Sequence, residues 1–171
     1  KCTGERWLEI HETAHDMGMK TNSTMLYGHV ETPESKVDHM LRLRDLQDRT
    51  AGFRTFIPLA FHPDNTRLKH LPRSTGADDL KHIAIARLFL DNIPHIMAYW
   101  GTETPEGAQV ALSFGADDLD GTIMVDEEII GAAGGEHVEG AMTKGQFTKM
   151  IREVGRVPLE RDTDFNVVRA Y

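Results

Sequence analysis

Four strand-like runs in this chain each end in polar side chains: Tyr27-Gly28-His29-Val30-Glu31, Ala60-Phe61-His62-Pro63, Ala98-Tyr99-Trp100 and Gly121-Thr122. Helix-like segments separate them. A strand covered by helices reads as a near-continuous apolar run, so polar groups collected at its C-terminal end face a shared mouth, where such folds place chemistry. The pattern predicts an α/β chain of about four βα units, half of the roughly eight that close a TIM-like barrel. A site at that mouth is then shared with sequence outside this chain.

Composition narrows the function classes. With 171 residues, 40% hydrophobic and 27% charged, the chain has the content of a packed globular protein and reads as cytoplasmic. A net charge of -8 without dense Lys or Arg clusters argues against a nucleic-acid surface. No run reaches the length of a membrane span, and a single cysteine, Cys2, provides neither a disulfide framework nor a metal site by itself. The opening Lys1-Cys2, without an initiator Met, reads as an internal start.

The periodicity predicts helices over 5–18, 34–49, 78–92, 105–114 and 143–154, with Thr32 and Thr143 as N-caps and Gly52 and Gly155 as stops. Parallel strands are expected near 22–28, 54–61, 95–100 and 119–124. Residues 64–76 read as a long loop, and Gly131 to Gly140 form a glycine-rich stretch. The division is a half-barrel over 1–125 and a helical extension over 126–171. Half a barrel exposes two strand edges, around Thr21–Tyr27 and Leu119–Val125, which favours self-association or capture of the missing half-barrel.

His29 and Glu31 lie two residues apart, so a continuing strand would put them on one face as an acid, base or ligand pair. The alternative is that both sit in a loop and organise the start of the next helix. His62, followed by Asp64, Asn65 and Thr66, is a second polar cluster that also suits a plain turn. Tyr99 and Trp100 point to opposite sides, one into the barrel and one into the helix layer. Asp117 and Asp118 fall at the barrel bottom and read as structural, whereas Gly121 and Thr122 face inward or upward, with Gly121 leaving room for a ligand. The remaining histidines read as packing or surface groups. No phosphate loop, Gly-x-Ser-x-Gly elbow, His-Glu-x-x-His helix or Cys-x-x-Cys motif is present.

The segments Thr24-Met-Leu-Tyr-Gly-His-Val-Glu31, Val37-Asp-His-Met-Leu-Arg-Leu-Arg-Asp-Leu-Gln-Asp48, Phe56-Ile-Pro-Leu-Ala-Phe-His-Pro-Asp-Asn65 and Phe114-Gly-Ala-Asp-Asp-Leu-Asp-Gly-Thr122, with the tail Arg156–Thr163, resemble aminofutalosine synthase. That family comprises radical SAM enzymes of menaquinone biosynthesis. Cyclic dehypoxanthinyl futalosine synthase and the deazaflavin-precursor synthases are similar too, but less so over the Gly-Ala-Asp-Asp-Leu-Asp-Gly-Thr run. The resemblance implies the C-terminal half of a radical SAM (β/α) barrel with a C-terminal helical tail. It also implies S-adenosylmethionine and a [4Fe-4S] cluster as cofactors of the complete enzyme. The cluster ligands of the family come from a Cys-x3-Cys-x2-Cys motif that this sequence lacks, so the chain alone is expected to be inactive. His29 and Glu31 are taken as the candidate catalytic residues. Tyr27, His62, Asn65, Tyr99, Gly121 and Thr122 are candidate substrate or cofactor contacts, and no metal ligand is assigned. Gly101-Thr-Glu-Thr-Pro105 and Ile130-Gly131 depart from the family pattern at the mouth.

Two competing readings remain open at this level. One is a non-catalytic subunit that completes a barrel with a separate partner. The other is a metal-dependent hydrolase using His29, Glu31 and His62, which needs three ligands in fixed geometry.

Overall fold

The computed structural model describes residues 2–122 and 142–171. Helix α1 (Gly4–Asp16) leads to strand β1 (Thr21–Tyr27), helix α2 (Pro33–Thr50), strand β2 (Phe53–Ala60), helix α3 (Gly76–Phe89) and strand β3 (His95–Ile96). Helix α4 (Pro105–Ala111) follows, then α5 (Lys144–Glu153) and the short strands β4 (Leu159–Arg161) and β5 (Val167–Ala170). Each helix among the described residues starts on a threonine whose hydroxyl accepts a first-turn N–H: Thr3, Thr32, Thr75, Thr104 and Thr143. Thr32 with Ser35, and Thr143 with Gln146, form reciprocal capping boxes.

The main sheet has the order β1-β2-β3 and is parallel throughout. Its register pairs Thr24 with Ile57, Met25 with Pro58 and Leu26 with Leu59. Paired residues share a face, so Ser23, Met25, Tyr27, Phe56 and Pro58 lie on one side and Thr24, Leu26, Ile57 and Leu59 on the other. The first side is covered by helices. Met25, Phe56 and Ile96 join Met40, Leu43 and Leu46 of α2 and Ile83 and Ala86 of α3 in the core. The second side is open along β1, where Asn22 and Thr24 are exposed and Leu26 is 47% exposed. Helices on one face of a parallel sheet and a bare opposite face fit a partial barrel whose interior is incomplete.

The fourth segment differs from expectation. Parallel order continues through one bridge, Met97 with Asp118, supported by Ala98 N–H donating to the Asp118 carbonyl and Asp117 N–H to the Ile96 carbonyl. No regular strand runs through 119–122, and 123–125 lie outside the described residues, as do Ile130-Gly131 and the glycine-rich stretch. The cause is local. The Asp118 carboxylate accepts from Asp120 N–H, and Asp120 adopts a positive φ of 69°, which bends the chain out of the ladder. The third ladder is also shorter than expected, because the chain turns at Tyr99, whose carbonyl accepts from the N–H groups of Thr102 and Glu103.

The tail is not helical throughout. After α5, β4 and β5 pair antiparallel, and the turn between them packs against the N-terminal ends of the sheet strands. Phe165 stacks on His95 at 4.1 Å, Arg161 lies 4.0 Å over Phe165 and pairs with Asp118, and Arg54 donates to the Thr163 carbonyl. Asp117 accepts from Arg87, His95 and Ile96 N–H. The tail therefore braces the bottom of the sheet, opposite the mouth.

A histidine chain closes the same end beside α1. Thr50 Oγ1 donates to the Leu46 carbonyl, so it accepts from His15 Nδ1–H at 2.7 Å. His15 Nε2 must then accept from the Thr21 hydroxyl, whose oxygen accepts from His11 Nδ1–H, both at 2.8 Å. Burial pushes both pKa values down, helped in His11 by His15 and in His15 by Lys20. A base whose folded pKa is depressed contributes stability that is complete above its unfolded value of about 6.5 and is lost as pH falls below it. The thermal midpoint should therefore drop on acidification from pH 7 to 5. In a His11→Gln/His15→Gln double variant that drop should shrink. Gly52 sits against the same ring, where an added Cβ would come within 2.0 Å of His15 Cγ. Gly52→Ala should destabilise by about 1–3 kcal/mol in denaturant titration, the cost of overpacking a fixed side chain.

Candidate functional site

Because β1, β2 and β3 are parallel, the residues following them meet at one edge of the sheet. After β1 the chain turns at Gly28, whose φ of 86° is open to glycine at little cost. The turn is held by Glu31. Its Oε1 accepts from Gly28 N–H at 2.6 Å and its Oε2 from His29 N–H at 2.8 Å. Burial opposes the charge, but hydrogen bonds from the backbone of Gly28, Glu31 and His29 outweigh it and hold the carboxyl below the usual range. His29 Nδ1 lies 3.3 Å from Glu31, and its ring meets Phe61 edge-on at 5.7 Å.

A polar network extends beneath this turn. Lys36 Nζ lies 3.8 Å from Glu31 and 2.9 Å from His82 Nε2. His82 Nδ1–H donates to the Asp78 carbonyl, so Nε2 is the acceptor for the Lys36 ammonium. Burial and the Lys36 charge keep His82 neutral, against the opposing Asp78 carbonyl contact. The Tyr27 ring stacks on His82 at 3.9 Å, and its hydroxyl donates to Asp79 Oδ1 at 2.7 Å, beside Ser74 Oγ at 2.8 Å. Tyr27 is 0% exposed, and burial together with Asp79 raises its pKa far above the ordinary range. Expected as a ligand contact, Tyr27 has its ring against α3. The pleat turns it into the helix layer, where it locks α3 to β1.

At the ends of β2 and β3, His62 Nε2–H donates to the Thr102 carbonyl at 3.1 Å. Tyr99 is partly buried on the open side, while Trp100 is 1% exposed, donates Nε1–H to the Gly121 carbonyl at 3.0 Å and meets Phe147 edge-on. The alternation is thereby resolved: Trp100 belongs to the helix layer. A side chain at Gly121 would meet nothing within 4 Å, so space exists there. Asn65 and Thr122 are exposed near the mouth. The structure thus sets His29 beside Glu31 and anchors His62 on the turn that follows Tyr99, while Tyr27 lies against α3.

Sequence reasoning missed Glu103. Its carboxyl is buried behind the turn that follows Tyr99, and burial followed by the Asp79 charge pushes its pKa up to about 7. The only signal was its place in Gly101-Thr-Glu-Thr-Pro105, a segment expected to depart from the family pattern. Lys36, His82 and Asp79 were also missed, because nothing in their spacing tells that α2 and α3 meet over Tyr27.

Among the described residues, no three His, Cys, Asp or Glu side chains are placed to hold a metal ion, and His29, Glu31 and His62 do not form such a group. An iron-sulfur cluster does not fit the residues present either, since Cys2 is the lone cysteine and is exposed. No helix among the described residues is long and apolar enough to cross a membrane.

Residues 50–170 match the family model described as CofH/MqnC C-terminal region. The chain belongs to this family. Aminodeoxyfutalosine synthase of Thermus thermophilus is 51% identical over 175 residues, spanning 100% of this chain and 46% of that protein. Cyclic dehypoxanthine futalosine synthase of Streptomyces coelicolor is 45% identical over 165 residues, 96% of this chain and 40% of that protein. A 5-amino-6-(D-ribitylamino)uracil--L-tyrosine 4-hydroxyphenyl transferase of Methanothermobacter thermautotrophicus is 44% identical over 167 residues, 94% of this chain and 44% of that protein. The chain spans a little under half the length of these relatives.

For this CofH/MqnC-type chain the geometry separates two roles that sequence had joined. Glu31 spends both oxygens on the backbone turn, whereas His29 has its ring at the mouth. His29→Ala in the complete protein should lower turnover by at least about tenfold with little change in thermal midpoint. Glu31→Ala should lower both, because two backbone N–H groups lose their acceptor. Circular dichroism melts alongside steady-state kinetics check this split.

Proposed function

We propose that this chain is the substrate-facing half of an aminodeoxyfutalosine synthase, a radical SAM transferase of menaquinone biosynthesis. The observation that carries the reading is whole-chain similarity at 51% identity to an enzyme of that name, higher than to the cyclic dehypoxanthine futalosine synthase or the methanogen transferase above. In the complete protein, S-adenosylmethionine and a [4Fe-4S] cluster held by sequence outside this chain would supply the adenosyl radical that adds to a carboxyvinyloxybenzoate.

The residues of this chain bind and orient. His29, fixed by the Glu31 turn, stands at the mouth as an acid, base or hydrogen-bond donor. Tyr99, with Phe61, Leu59 and Ile57 on the open face, forms an apolar wall suited to an aromatic ring. His62, Asn65, Gly121 and Thr122 frame the polar rim. The free edge of β1 is where the missing half-barrel would pair, and without it a second copy of this chain is the competing occupant. The reading places the protein in the cytoplasm.

The test is direct. Complete protein with its cluster reconstituted anaerobically, supplied with S-adenosylmethionine and the carboxyvinyloxybenzoate, should form aminodeoxyfutalosine by liquid chromatography and mass spectrometry. It should not turn over dehypoxanthine futalosine or tyrosine. Turnover of either of those instead would assign the chain to the other branches of its family.

A further inference from the structure

Among the described residues, Lys36 is the one cation besides His29 held against the Glu31 carboxylate. It stands on the first turn of α2, with its ammonium 3.8 Å from Glu31 Oε1. A lysine head is a point charge on a flexible stem, so its direction needs a second partner. His82 of α3 is that partner. Its Nδ1–H is spent on the Asp78 carbonyl at 2.7 Å, so its Nε2 accepts from Lys36 at 2.9 Å. The His82 ring is in turn stacked on Tyr27 at 3.9 Å, and Tyr27 is tied to Asp79. Two helices and a strand therefore aim one ammonium at the turn that carries His29.

Glu31 stands between two nitrogen bases. Its Oε1 takes Gly28 N–H and faces Lys36, while its Oε2 takes His29 N–H and faces His29 Nδ1 at 3.3 Å. An ionised oxygen at that distance favours a proton on Nδ1, which leaves Nε2 as the acceptor that the ring offers. A second proton on the ring would put an imidazolium on the same carboxylate as the Lys36 ammonium, and like charges oppose each other there. The other neighbours leave this balance to Lys36. The end of β2 supplies only the Phe61 ring edge, and His82 is kept neutral by burial and the Lys36 charge. On α3, Asp79 is engaged by the Tyr27 and Ser74 hydroxyls and Asp78 by the Thr75 hydroxyl.

We propose that Lys36 is a positioning residue for His29: by balancing the Glu31 charge it holds the imidazole with its proton on Nδ1 and its Nε2 as a hydrogen-bond acceptor toward substrate. The inference deepens the proposed function and rests on His29 acting at the mouth. Lys36 itself touches neither substrate nor cofactor in this role.

The experiment is a pH series on the complete protein, wild type against Lys36→Met and Lys36→Arg, read in two ways. In spectra of protein labelled with ¹⁵N-histidine, the His29 signals are identified by their loss in His29→Gln. At alkaline pH the wild-type ring should carry its proton on Nδ1 and none on Nε2. On acidification, protonation of Nε2 should set in about half to one pH unit higher in Lys36→Met than in wild type, whereas Lys36→Arg, which keeps the charge, should follow wild type. Turnover should track the spectra. Lys36→Met should lose about three- to tenfold near pH 6.5 and return to within about twofold of wild type near pH 8.5, with KM for the carboxyvinyloxybenzoate unchanged within about twofold. A purely structural role would cost the same at every pH. A wild-type proton on Nε2, an Nε2 that titrates alike in wild type and Lys36→Met, or a loss of turnover independent of pH would each overturn the inference. The spectra need no substrate, so a complete protein that fails to form aminodeoxyfutalosine counts against the proposed function and leaves the spectra to decide the role of Lys36.

Discussion

The parallel pairing of β1 with β2 is the constraint from which the rest follows. Its register, with Thr24 opposite Ile57 and Leu26 opposite Leu59, decides which side chains face the helices and which face the open side. It also brings the chain after Tyr27, after Ala60 and after Ile96 to one edge of the sheet. A slip of one residue would exchange the faces and bury Leu26 in place of Tyr27. The Tyr27 position shows how firmly the register is held, since its hydroxyl reaches Asp79 and its ring covers His82.

Two polar systems secure the two ends of this sheet. At the bottom, Asp117, Asp118, Arg161 and Phe165 join the tail to the strand starts, and the His11–Thr21–His15–Thr50 chain closes α1 onto α2. At the mouth, Glu31, Lys36, His82 and Asp79 form a scaffold under His29. The bottom network is fully partnered where its hydrogen bonds can be followed. Among the described residues, buried side-chain atoms without a partner lie at both ends, at His62 and Glu103 after the strands and at Asn92 before β3.

Local signals made much of this legible in the sequence. The Thr32 and Thr143 caps before apolar-periodic runs placed two helices, and the apolar run Phe53–Phe61 announced a strand. The resemblance located the family, and it agrees with the CofH/MqnC match over residues 50–170. What sequence could not show was decided by side-chain hydrogen bonds and strand pairings that no periodicity announces. Asp118 bends the fourth segment, the β4–β5 pair replaces helix in the tail, and Tyr27 turns away from the mouth because the pleat assigns it to α3. Glu103 has no periodicity or motif to reveal it, because its significance lies in burial without a partner.

The central claim is that the open face of β1 and β2 is an unfinished interior. Asn22, Thr24 and Leu26 are exposed there on a parallel sheet, a surface that rarely stays bare. Light scattering of the isolated 171-residue chain at micromolar concentration, with calorimetry on the same sample, measures this directly. The half-barrel account predicts oligomers or aggregation that convert to a defined complex when the missing half is supplied in trans. A monodisperse monomer with a single cooperative melt would show that the chain closes its own core and would contradict it.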